Sequence, residues 1–285
     1  MRWPRDSTGW PFADRSRFVL VKPHRWHVQE AGTGPTILLI HGAGGATQSF
    51  RKLFPLLTPH FHTVMMDLPG QGFTQLGAQR RCGLEAMTED LGALIAHERW
   101  VPDLLVGHSA GGAIALSLAA AGLRPACGIV TINAALGNFE GLAGWLFPAM
   151  AKALAMTPLA AQVFAATMTA GRVRQLIRGT GSVIDAEGEA LYLRLASDRA
   201  HVDATLSMMA QWTLDRLNRQ LPQIDLPVHL IVGARDTAVP PDISGTASRS
   251  LAQASLTRLA NLGHLAHEED ADAVAAIIRA ACGKT

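Results

Sequence analysis

The sequence changes abruptly from a strand pattern to a helix pattern around one serine. Residues 104–106 are a short apolar run typical of a buried strand, and residues 112–119 are small and apolar at helical spacing. Between them stands Gly107-His108-Ser109-Ala110-Gly111, which matches the pattern Gly-x-Ser-x-Gly. Small residues on both sides of a serine permit a turn sharp enough to expose its hydroxyl at the edge of a sheet. The sequence therefore predicts a buried strand, a tight turn at Ser109 and a helix.

Three interpretations of this stretch are open. A pattern with three fixed positions recurs by chance in a chain rich in glycine and alanine, so the turn could be accidental. Residues 104–123 are also long and apolar enough to pass a crude test for a membrane span, but the glycine cluster, His108 and the lack of a basic flank argue against one. A strand before the turn, and a helix after it whose first N–H groups face developing negative charge, favour Ser109 as a nucleophile.

The bulk composition indicates an ordinary globular protein without a nucleic-acid surface. The chain has 285 residues, of which 48% are hydrophobic and 17% are charged, so it can bury a large core. Its formal net charge is +2, and its lysines and arginines are scattered. No apolar segment follows Met1 as in a secretory signal, and no Gly-x4-Gly-Lys-Ser/Thr loop is present for ATP. We expect a cytoplasmic protein with no nucleic-acid partner and no transmembrane segment.

The three cysteines do not form a recognisable metal or redox motif. Cys82, Cys127 and Cys282 are odd in number, far apart in the chain and without a Cys-x-x-Cys pair. Such cysteine usage suits a reducing compartment. We therefore expect all three to be structural, and we expect no metal and no other cofactor.

Short apolar runs alternate with helical patterns along most of the chain, which predicts an α/β fold. We expect a mostly parallel eight-stranded sheet with helices on both faces and ligands bound outside the carboxyl ends of the strands. Between residues 133 and 220 the strand runs disappear and Ala and Met become frequent, which predicts a helical lid inserted between core segments 1–132 and 221–285. The predicted strands cover residues 18–21, 26–29, 36–40, 62–66, 104–106, 128–132, 226–232 and 256–259, with helices predicted around 84–95 and 274–278.

An acid and a histidine follow the last two predicted strands, in the order that a serine nucleophile requires. Asp236 lies just beyond the strand at 226–232, and His264 lies just beyond the strand at 256–259. A serine hydroxyl needs a base to accept its proton, and the base needs an acid to orient it. Asp236 could instead cap a helix, and His267 is a rival base, although its neighbouring glutamates indicate a helix start or a surface position. We favour Asp236 and His264.

The glycine-rich loop after the strand at 36–40 is the expected source of a second oxyanion donor. His41-Gly42-Ala43-Gly44-Gly45 follows that strand, and the backbone amides of Ala43 and Ala110 would together hold the oxyanion. We expect His41 to order the loop and His108 to pack near the sheet rather than to transfer protons. His41, Gly42 and His108 are also candidates for contact with a substrate.

Five motifs occur in a fixed order along the chain: His41-Gly42, Asp67-Leu68-Pro69-Gly70-x-Gly72, the turn at Ser109, Gly233-x-x-Asp236 and Gly263-His264. Taken together, they resemble the alpha/beta-hydrolase superfamily over essentially the whole chain. The sequence departs from the superfamily's pattern at Gln71, where many relatives carry histidine, and we expect this to affect only a surface or loop contact. Asp67, in the Pro-Gly turn, is expected to be structural.

Four further stretches carry a narrower resemblance. They are Trp3-Pro4-Arg5 with Gly9-Trp10-Pro11, Asn133-Ala134-Ala135-Leu136, His201-Val202-Asp203 through Met208-Met209-Ala210-Gln211-Trp212, and Gly263 through Glu269. With them the chain resembles the family of magnesium chelatase accessory proteins of bacteriochlorophyll synthesis. This resemblance implies a role in the pigment pathway, linked to magnesium insertion into protoporphyrin, and association with magnesium chelatase subunits; a cytoplasmic protein in that pathway could be peripheral to the photosynthetic membrane. It does not identify a substrate.

Two functions fit the sequence. The first is a serine hydrolase that cleaves an ester or related acyl bond of an apolar substrate such as a tetrapyrrole intermediate. The second is a non-catalytic protein that binds a porphyrin and assists magnesium chelatase. The presence of Ser109, Asp236 and His264 together favours the first. In either case we expect apolar lid residues to contribute to the pocket, namely Trp145, Phe147, Met168, Met209 and Trp212.

Overall fold

Eight strands form one sheet in the computed structural model, which describes residues 1–78, 80–137 and 160–284. In chain order the strands are β1 (Ser16–Val21), β2 (His24–Ala31), β3 (Thr36–Ile40), β4 (His62–Met66), β5 (Pro102–His108), β6 (Gly128–Ile132), β7 (Val228–Gly233) and β8 (Ala254–Leu259). The spatial order is β1-β2-β4-β3-β5-β6-β7-β8. Strands β3 to β8 are mutually parallel, while β1 and β2 pair antiparallel at one edge. The predicted fold class is confirmed.

Helices connect most of these strands. The described helices are α1 (Phe54–Leu57), α2 (Leu84–Glu98), α3 (Ala110–Ala120), α4 (Ala160–Ala166), α5 (Ala170–Gly179), α6 (Ala186–Ala196), α7 (Arg199–Gln211), α8 (Asp215–Gln220), α9 (Pro241–Ser250), α10 (Ala266–Glu269) and α11 (Ala271–Ala281). Short 3₁₀ helices cover Ala13–Arg15, Thr47–Phe50 and Leu221–Gln223.

Strand β3 illustrates why the central strands are apolar along their whole length. Side chains alternate between the two faces of a strand. Leu38 and Ile40 pack in the core formed with α2 and α3, whereas Ile37 and Leu39 pack in the core formed with α1 and α11. Because helices cover both faces of the parallel sheet, a continuous apolar run is required where an exposed sheet would alternate.

Helices α4 to α8 occupy the described part of the predicted lid segment. Helix α4 packs on α7, and α5 packs on α6. The helical character predicted for this segment is confirmed from residue 160 to residue 220, while its division from the core stays a prediction. Trp145 and Phe147, two of the predicted pocket residues, lie outside the described residues.

Residues 104–123 form no membrane span, because the chain turns between β5 and α3 at Ser109. Throughout the described ranges, each helix is too short or too polar to cross a bilayer.

Two of the cysteines are joined, which disagrees with the reducing compartment that their number and spacing indicated but agrees with a structural role. The structure bonds Cys127 to Cys282 in a disulfide with the Cα atoms 5.1 Å apart, and Cys82 is free and buried. The two partners are 155 residues apart in sequence. Their proximity arises only because α11 returns the chain to the start of β6, which sequence spacing does not reveal.

Asp67, directly after β4, joins three parts of the core by hydrogen bonds. One carboxylate oxygen accepts the Thr47 N–H at 2.7 Å, and the other accepts the Phe73 N–H at 2.8 Å and contacts His27 Nδ1 at 2.7 Å. Burial raises the pKa of this carboxyl, but the His27 ring and these hydrogen bonds outweigh burial and hold the pKa of Asp67 below its usual value. Asp67 therefore has the structural position expected of it.

We expect Asp67→Asn to lower the free energy of unfolding by about 2–4 kcal/mol at neutral pH, because a donor group replaces an acceptor that faces backbone N–H groups. A carboxyl whose pKa is lower in the folded protein stabilises the fold above its unfolded pKa, and this contribution disappears as pH falls through the folded pKa. The difference between wild type and variant should therefore shrink in acid. Urea denaturation over a pH series measures it, with the exposed Asp14→Asn as control. Equal stabilities at neutral pH would contradict this role.

Candidate active site

The turn at Ser109 follows from how closely helix α3 packs on the sheet. A methyl group on Gly107 would overlap the backbone of α3, and one on Gly111 would overlap the backbone at the end of β3. A Cβ atom on Gly112 would lie 2.6 Å from the Ala134 Cβ, just beyond β6. Only glycine fits at these three positions, so the glycines of the sequence pattern permit a close approach that places Ser109 at the carboxyl edge of the sheet.

Ser109 has a backbone conformation that side-chain-bearing residues rarely adopt, with φ 53° and ψ −118°. Such a conformation costs on the order of 1–3 kcal/mol and persists only where the surroundings impose it. Here the Ser109 N–H donates to the Ile132 carbonyl at 2.9 Å, and the Ser109 carbonyl accepts from the Ala135 N–H at 3.0 Å. These bonds to the end of β6 hold the serine in the strained turn.

Two backbone amides near Ser109 are available to a ligand. Among the described residues, neither the Ala43 N–H nor the Ala110 N–H donates a hydrogen bond, and Ala110 is the first residue of α3. Gly42 approaches the serine so closely that a Cβ atom there would lie 2.8 Å from the Ser109 Cβ. The loop after β3 and the start of α3 therefore lie on either side of Ser109, as an oxyanion site requires.

His41 orders the loop rather than facing a ligand. Its Nδ1 donates to the Gly42 carbonyl at 2.8 Å, and its Nε2 accepts the Leu68 N–H at 2.9 Å, which assigns a neutral ring. Burial lowers the pKa of His41, in agreement with that neutral form. Because a peptide unit is planar, holding the Gly42 carbonyl also directs the Ala43 N–H. The ring is fully buried and does not line the cavity described below, so the structure does not place it for substrate contact.

Asp236 and His264 are brought together from the loops after β7 and β8. The His264 Nδ1 lies 2.8 Å from Asp236 Oδ2, and the Asp236 side chain is fully buried. The other carboxylate oxygen accepts the N–H groups of Ala238 and Val239, each at 2.8 Å. Asp236 therefore organises the turn after β7 as well as contacting His264.

The Ser109 hydroxyl and the His264 ring are not hydrogen-bonded to each other within the described part of the chain. The structure thus forms the acid–histidine contact and leaves the serine–histidine contact unmade. Catalytic hydrogen bonds are often long or poorly aligned in proteins without ligand and tighten in the complex.

Asn133 is a site residue that the sequence did not indicate as one. It follows β6 directly, has a positive φ of 48°, and donates its side-chain amide to Asp236 Oδ2 at 2.7 Å. The only sequence signal was its place at the start of one stretch that carries the narrower family resemblance. Asp236 Oδ2 thus has two partners, Asn133 and His264, which together fix the carboxylate.

Two further histidines pack beside His264. The His108 Nε2 donates to the His264 carbonyl at 2.9 Å, and burial lowers the pKa of His108 well below its usual value. The ring centroids of His108 and His267 are 4.4 Å apart. His267 lies in the short helix α10, so the helix start is the alternative that the structure shows for it. It is fully buried and therefore not at the surface. Burial lowers the pKa of His267 to about 3, and the structure brings His264, not His267, to Asp236.

A cavity of about 460 Å³ lies between this edge of the sheet and helices α4 to α7. Of the predicted pocket residues, Gly42, His108 and Met209 line it. Met168 packs beside it with Val173, and Trp212 packs against the core. Among the described residues that line the cavity there is no aspartate, glutamate, lysine or arginine. The lining residues are Gly42, Ala43, Gly44, Gly45, Ser49, His108, Phe164, Val173, Leu176, Ile177, Thr180, Tyr192, Ala196, His201, Val202, Thr205, Leu206, Met209, His264 and Leu265.

An ionic cluster, buried except at Asp185, ties helix α6 to the segment after β8 that carries His264, and the sequence did not indicate it. Arg51 pairs with Glu268 and with Asp185, the residue that caps α6. The Tyr192 hydroxyl on α6 donates to Glu268 at 2.8 Å. Burial raises the pKa of Glu268 to about 7, although Arg51 and Tyr192 oppose this rise. The cluster joins one wall of the cavity to the segment that follows His264.

The described residues contain no group of three or more histidine, cysteine, aspartate or glutamate side chains arranged to hold a metal ion. The contact of Asp236 with His264, close to the strained turn at Ser109, offers acid–base and nucleophilic chemistry.

Comparison with known proteins agrees with the fold. The profile of the alpha/beta hydrolase family matches residues 37–277. The chain is 44% identical over 274 residues to the Magnesium-chelatase 30 kDa subunit of Rhodobacter capsulatus, covering 94% of this chain and 95% of that protein. It is 27% identical over 234 residues to the pimeloyl-[acyl-carrier protein] methyl ester esterase of Methylococcus capsulatus, covering 78% and 84% of the two chains.

Solved structures give the same architecture. An alpha/beta hydrolase fold protein from Burkholderia ambifaria aligns with a TM-score of 0.78 at 20% identity, covering 93% of this chain and 97% of that one. Both resemblances drawn from the sequence are therefore confirmed at the level of family and fold.

We expect Asn133→Gly to slow the reaction of Ser109 with a fluorophosphonate about tenfold, since Asp236 loses one of the two partners of Oδ2 and orients His264 less well; tenfold corresponds to about 1.4 kcal/mol. Glycine is chosen because it tolerates the positive φ at this position. The labelling rate, followed by gel fluorescence, measures the effect. Asn218→Gly in helix α8 is a control for general destabilisation, and an unchanged labelling rate in Asn133→Gly would rule out this orienting role.

Proposed function

Because the chain belongs to the alpha/beta hydrolase family, we propose that it is a serine hydrolase that cleaves an ester or related acyl bond. Ser109 is the nucleophile, His264 the general base, Asp236 the residue that orients and stabilises His264, and the amides of Ala43 and Ala110 the oxyanion donors. The observation that carries the proposal is the 2.8 Å contact between His264 Nδ1 and Asp236 Oδ2 beside a strained serine turn. That arrangement matches the requirements of nucleophilic catalysis by serine.

In the proposed mechanism, His264 Nε2 accepts the Ser109 proton as Oγ attacks the carbonyl carbon. The tetrahedral intermediate places its negative oxygen against the Ala43 and Ala110 N–H groups, and loss of one such donor typically costs about 3–4 kcal/mol of transition-state stabilisation. The imidazolium then protonates the departing alcohol, which leaves an acyl group on Ser109. Water, deprotonated by His264, hydrolyses that acyl enzyme and restores the hydroxyl.

The residues that line the cavity favour an uncharged, apolar substrate. Its described lining includes Leu176, Leu206 and Met209 and carries no charged side chain. Two of its histidines are held neutral, since burial lowers the pKa of His201 to about 4 and that of His108 well below its usual value. Transfer of an unpaired carboxylate into such surroundings costs several kcal/mol. We therefore propose that the group bound here is neutral, and that any carboxyl groups of the substrate are esterified or remain outside.

A role in bacteriochlorophyll synthesis is supported by the 44% identity to the Magnesium-chelatase 30 kDa subunit. On this basis we propose a tetrapyrrole intermediate as the substrate class, association with magnesium chelatase subunits, and a cytoplasmic location peripheral to the photosynthetic membrane. In this proposal residues 133–220 act as the lid over the site.

The same identity favours a second candidate function, in which the cavity binds a porphyrin and presents it to the chelatase without cleaving it. The two candidates differ in whether Ser109 is reactive, and they share the cavity.

We expect a fluorophosphonate probe to label the wild-type protein at Ser109 and to leave Ser109→Ala unlabelled, because only an activated serine reacts with it. Mass spectrometry of the labelled peptide identifies the site. Ser117→Ala, a serine on the same helix α3, serves as the matched control and should label like wild type. A wild-type protein that stays unlabelled would reject the hydrolase and leave the second candidate.

The preference of the cavity for neutral over charged ligands can be measured without any turnover. We expect Ser109→Ala to bind protoporphyrin dimethyl ester at least about tenfold more tightly than protoporphyrin, whose free carboxylates are costly to bury. Fluorescence titration in the same mild detergent measures both affinities. The double variant Ser109→Ala with Leu206→Arg adds a cation to the lining. It should reduce the difference in affinity between the dimethyl ester and protoporphyrin. Tighter binding of the diacid would contradict the neutral cavity, and no binding of either would reject porphyrin as the ligand.

A further inference from the structure

Three consecutive peptide groups in the loop after β3 are each held by a hydrogen bond. The Gly42 carbonyl accepts from His41 Nδ1 and from the Gly45 N–H, as part of the loop's own turn. The next two peptide groups are held from outside the loop, through the N–H and the carbonyl of Gly44. The Ala43 N–H belongs to the first of these three peptide groups, which is linked to the other two through Ala43 and Gly44. The direction of this N–H therefore depends on how all three peptide planes are held.

Gln71 holds the Gly44 N–H. Its Oε1 accepts that N–H at 2.8 Å, and its Nε2 donates to the Met208 Sδ on helix α7 at 3.3 Å. Of the two contacts expected for this position from sequence, a surface contact or a loop contact, the structure shows the loop contact, because the side chain is fully buried and bonds to the loop after β3. Gly44 has a φ of 75°, a conformation that needs glycine and that a tether on its N–H helps to select.

His201 holds the Gly44 carbonyl. Its Nε2 donates to that carbonyl at 3.2 Å, and its Nδ1 accepts the Gly72 N–H at 3.1 Å. This pair of bonds requires the neutral ring with its proton on Nε2. Burial lowers the pKa of His201 to about 4, so the neutral form prevails at physiological pH.

Both contacts depend on helix α7. His201 and Met208 lie on this helix. A Cβ atom on Gly70 would lie 2.5 Å from the Ala204 Cβ, so α7 packs directly on the Pro-Gly turn that carries Gln71. The loop is thereby held between the turn after β4 and a helix of the lid segment.

We propose that Gln71 and His201 are positioning residues that fix Gly44 and thereby aim the Ala43 N–H at the oxyanion. Helix α7 is then part of the catalytic apparatus as well as a wall of the cavity. This inference rests on the proposed serine hydrolase. It goes beyond that proposal by assigning transition-state stabilisation to two side chains through their bonds to Gly44: Gln71, which is not among the lining residues of the cavity, and His201, which also lines it.

The test separates the rate of reaction from the strength of binding. Saturation kinetics of fluorophosphonate labelling give the maximal rate and the half-saturating concentration for Gln71→Met and His201→Phe, which keep size and remove the bonds to Gly44. We expect each to lower the maximal rate about 10- to 100-fold, less than the 10²- to 10³-fold typical of deleting a donor outright, with the half-saturating concentration changed less than about threefold. His201→Gln, which retains an N–H donor, should recover most of the rate.

Leu217→Ala on helix α8 is the control for a general loss of stability, since it truncates a buried core side chain away from the loop. It should lower the melting temperature and leave the maximal labelling rate unchanged. Maximal rates within twofold of wild type for both Gln71→Met and His201→Phe would overturn the inference, as would an effect confined to the half-saturating concentration. In either case the Ser109 assignment would stand, whereas an unlabelled wild type would overturn the proposed function and the inference together.

Discussion

The contact between helix α3 and the sheet is the constraint on which the site depends. Glycines at positions 107, 111 and 112 let the helix approach the ends of β3 and β6 until no Cβ atom fits between them. That approach imposes the positive φ of Ser109 and, within the described part of the chain, leaves the Ala110 N–H at the start of the helix without an acceptor. A looser packing would let the serine relax, because strained backbone persists only where its surroundings over-determine it.

The rest of the site is positioned by buried polar groups around this contact. Asp67 anchors the turn after β4, Asp236 anchors the turn after β7, and His41 anchors the loop that contains Ala43. Each of these side chains satisfies backbone N–H groups that burial would otherwise leave unpaired. A preorganised site of this kind needs little rearrangement when charge develops, which is the main way in which backbone donors accelerate acyl transfer.

Much of the fold was predictable because its signals are local. The apolar runs at 36–40, 62–66 and 128–132 coincide with strands β3, β4 and β6, whereas β7 and β8 each begin two residues from the predicted position, where polar or proline residues blur the run. The chain order of Ser109, Asp236 and His264 was likewise readable, since each follows a strand at the same edge of the sheet. The structure adds the contact of Asp236 with His264 to that order.

Other pairings between distant segments could not be predicted. The bond of Cys127 to Cys282, the hydrogen bond of Asn133 to Asp236 and the burial of His267 all depend on how remote segments meet. Gln71 and His201 stood out in the sequence only as a departure and as part of a family resemblance, and their common partner Gly44 appears only in three dimensions. Hydrogen-bond partners of this kind leave no periodicity in a sequence.

The most direct test is a crystal structure of the protein after reaction with a fluorophosphonate. The proposed mechanism predicts a covalent bond from phosphorus to Ser109 Oγ, with the phosphoryl oxygen about 3 Å from both the Ala43 and Ala110 nitrogens. An adduct at another residue, or a phosphoryl oxygen turned away from both amides, would contradict it.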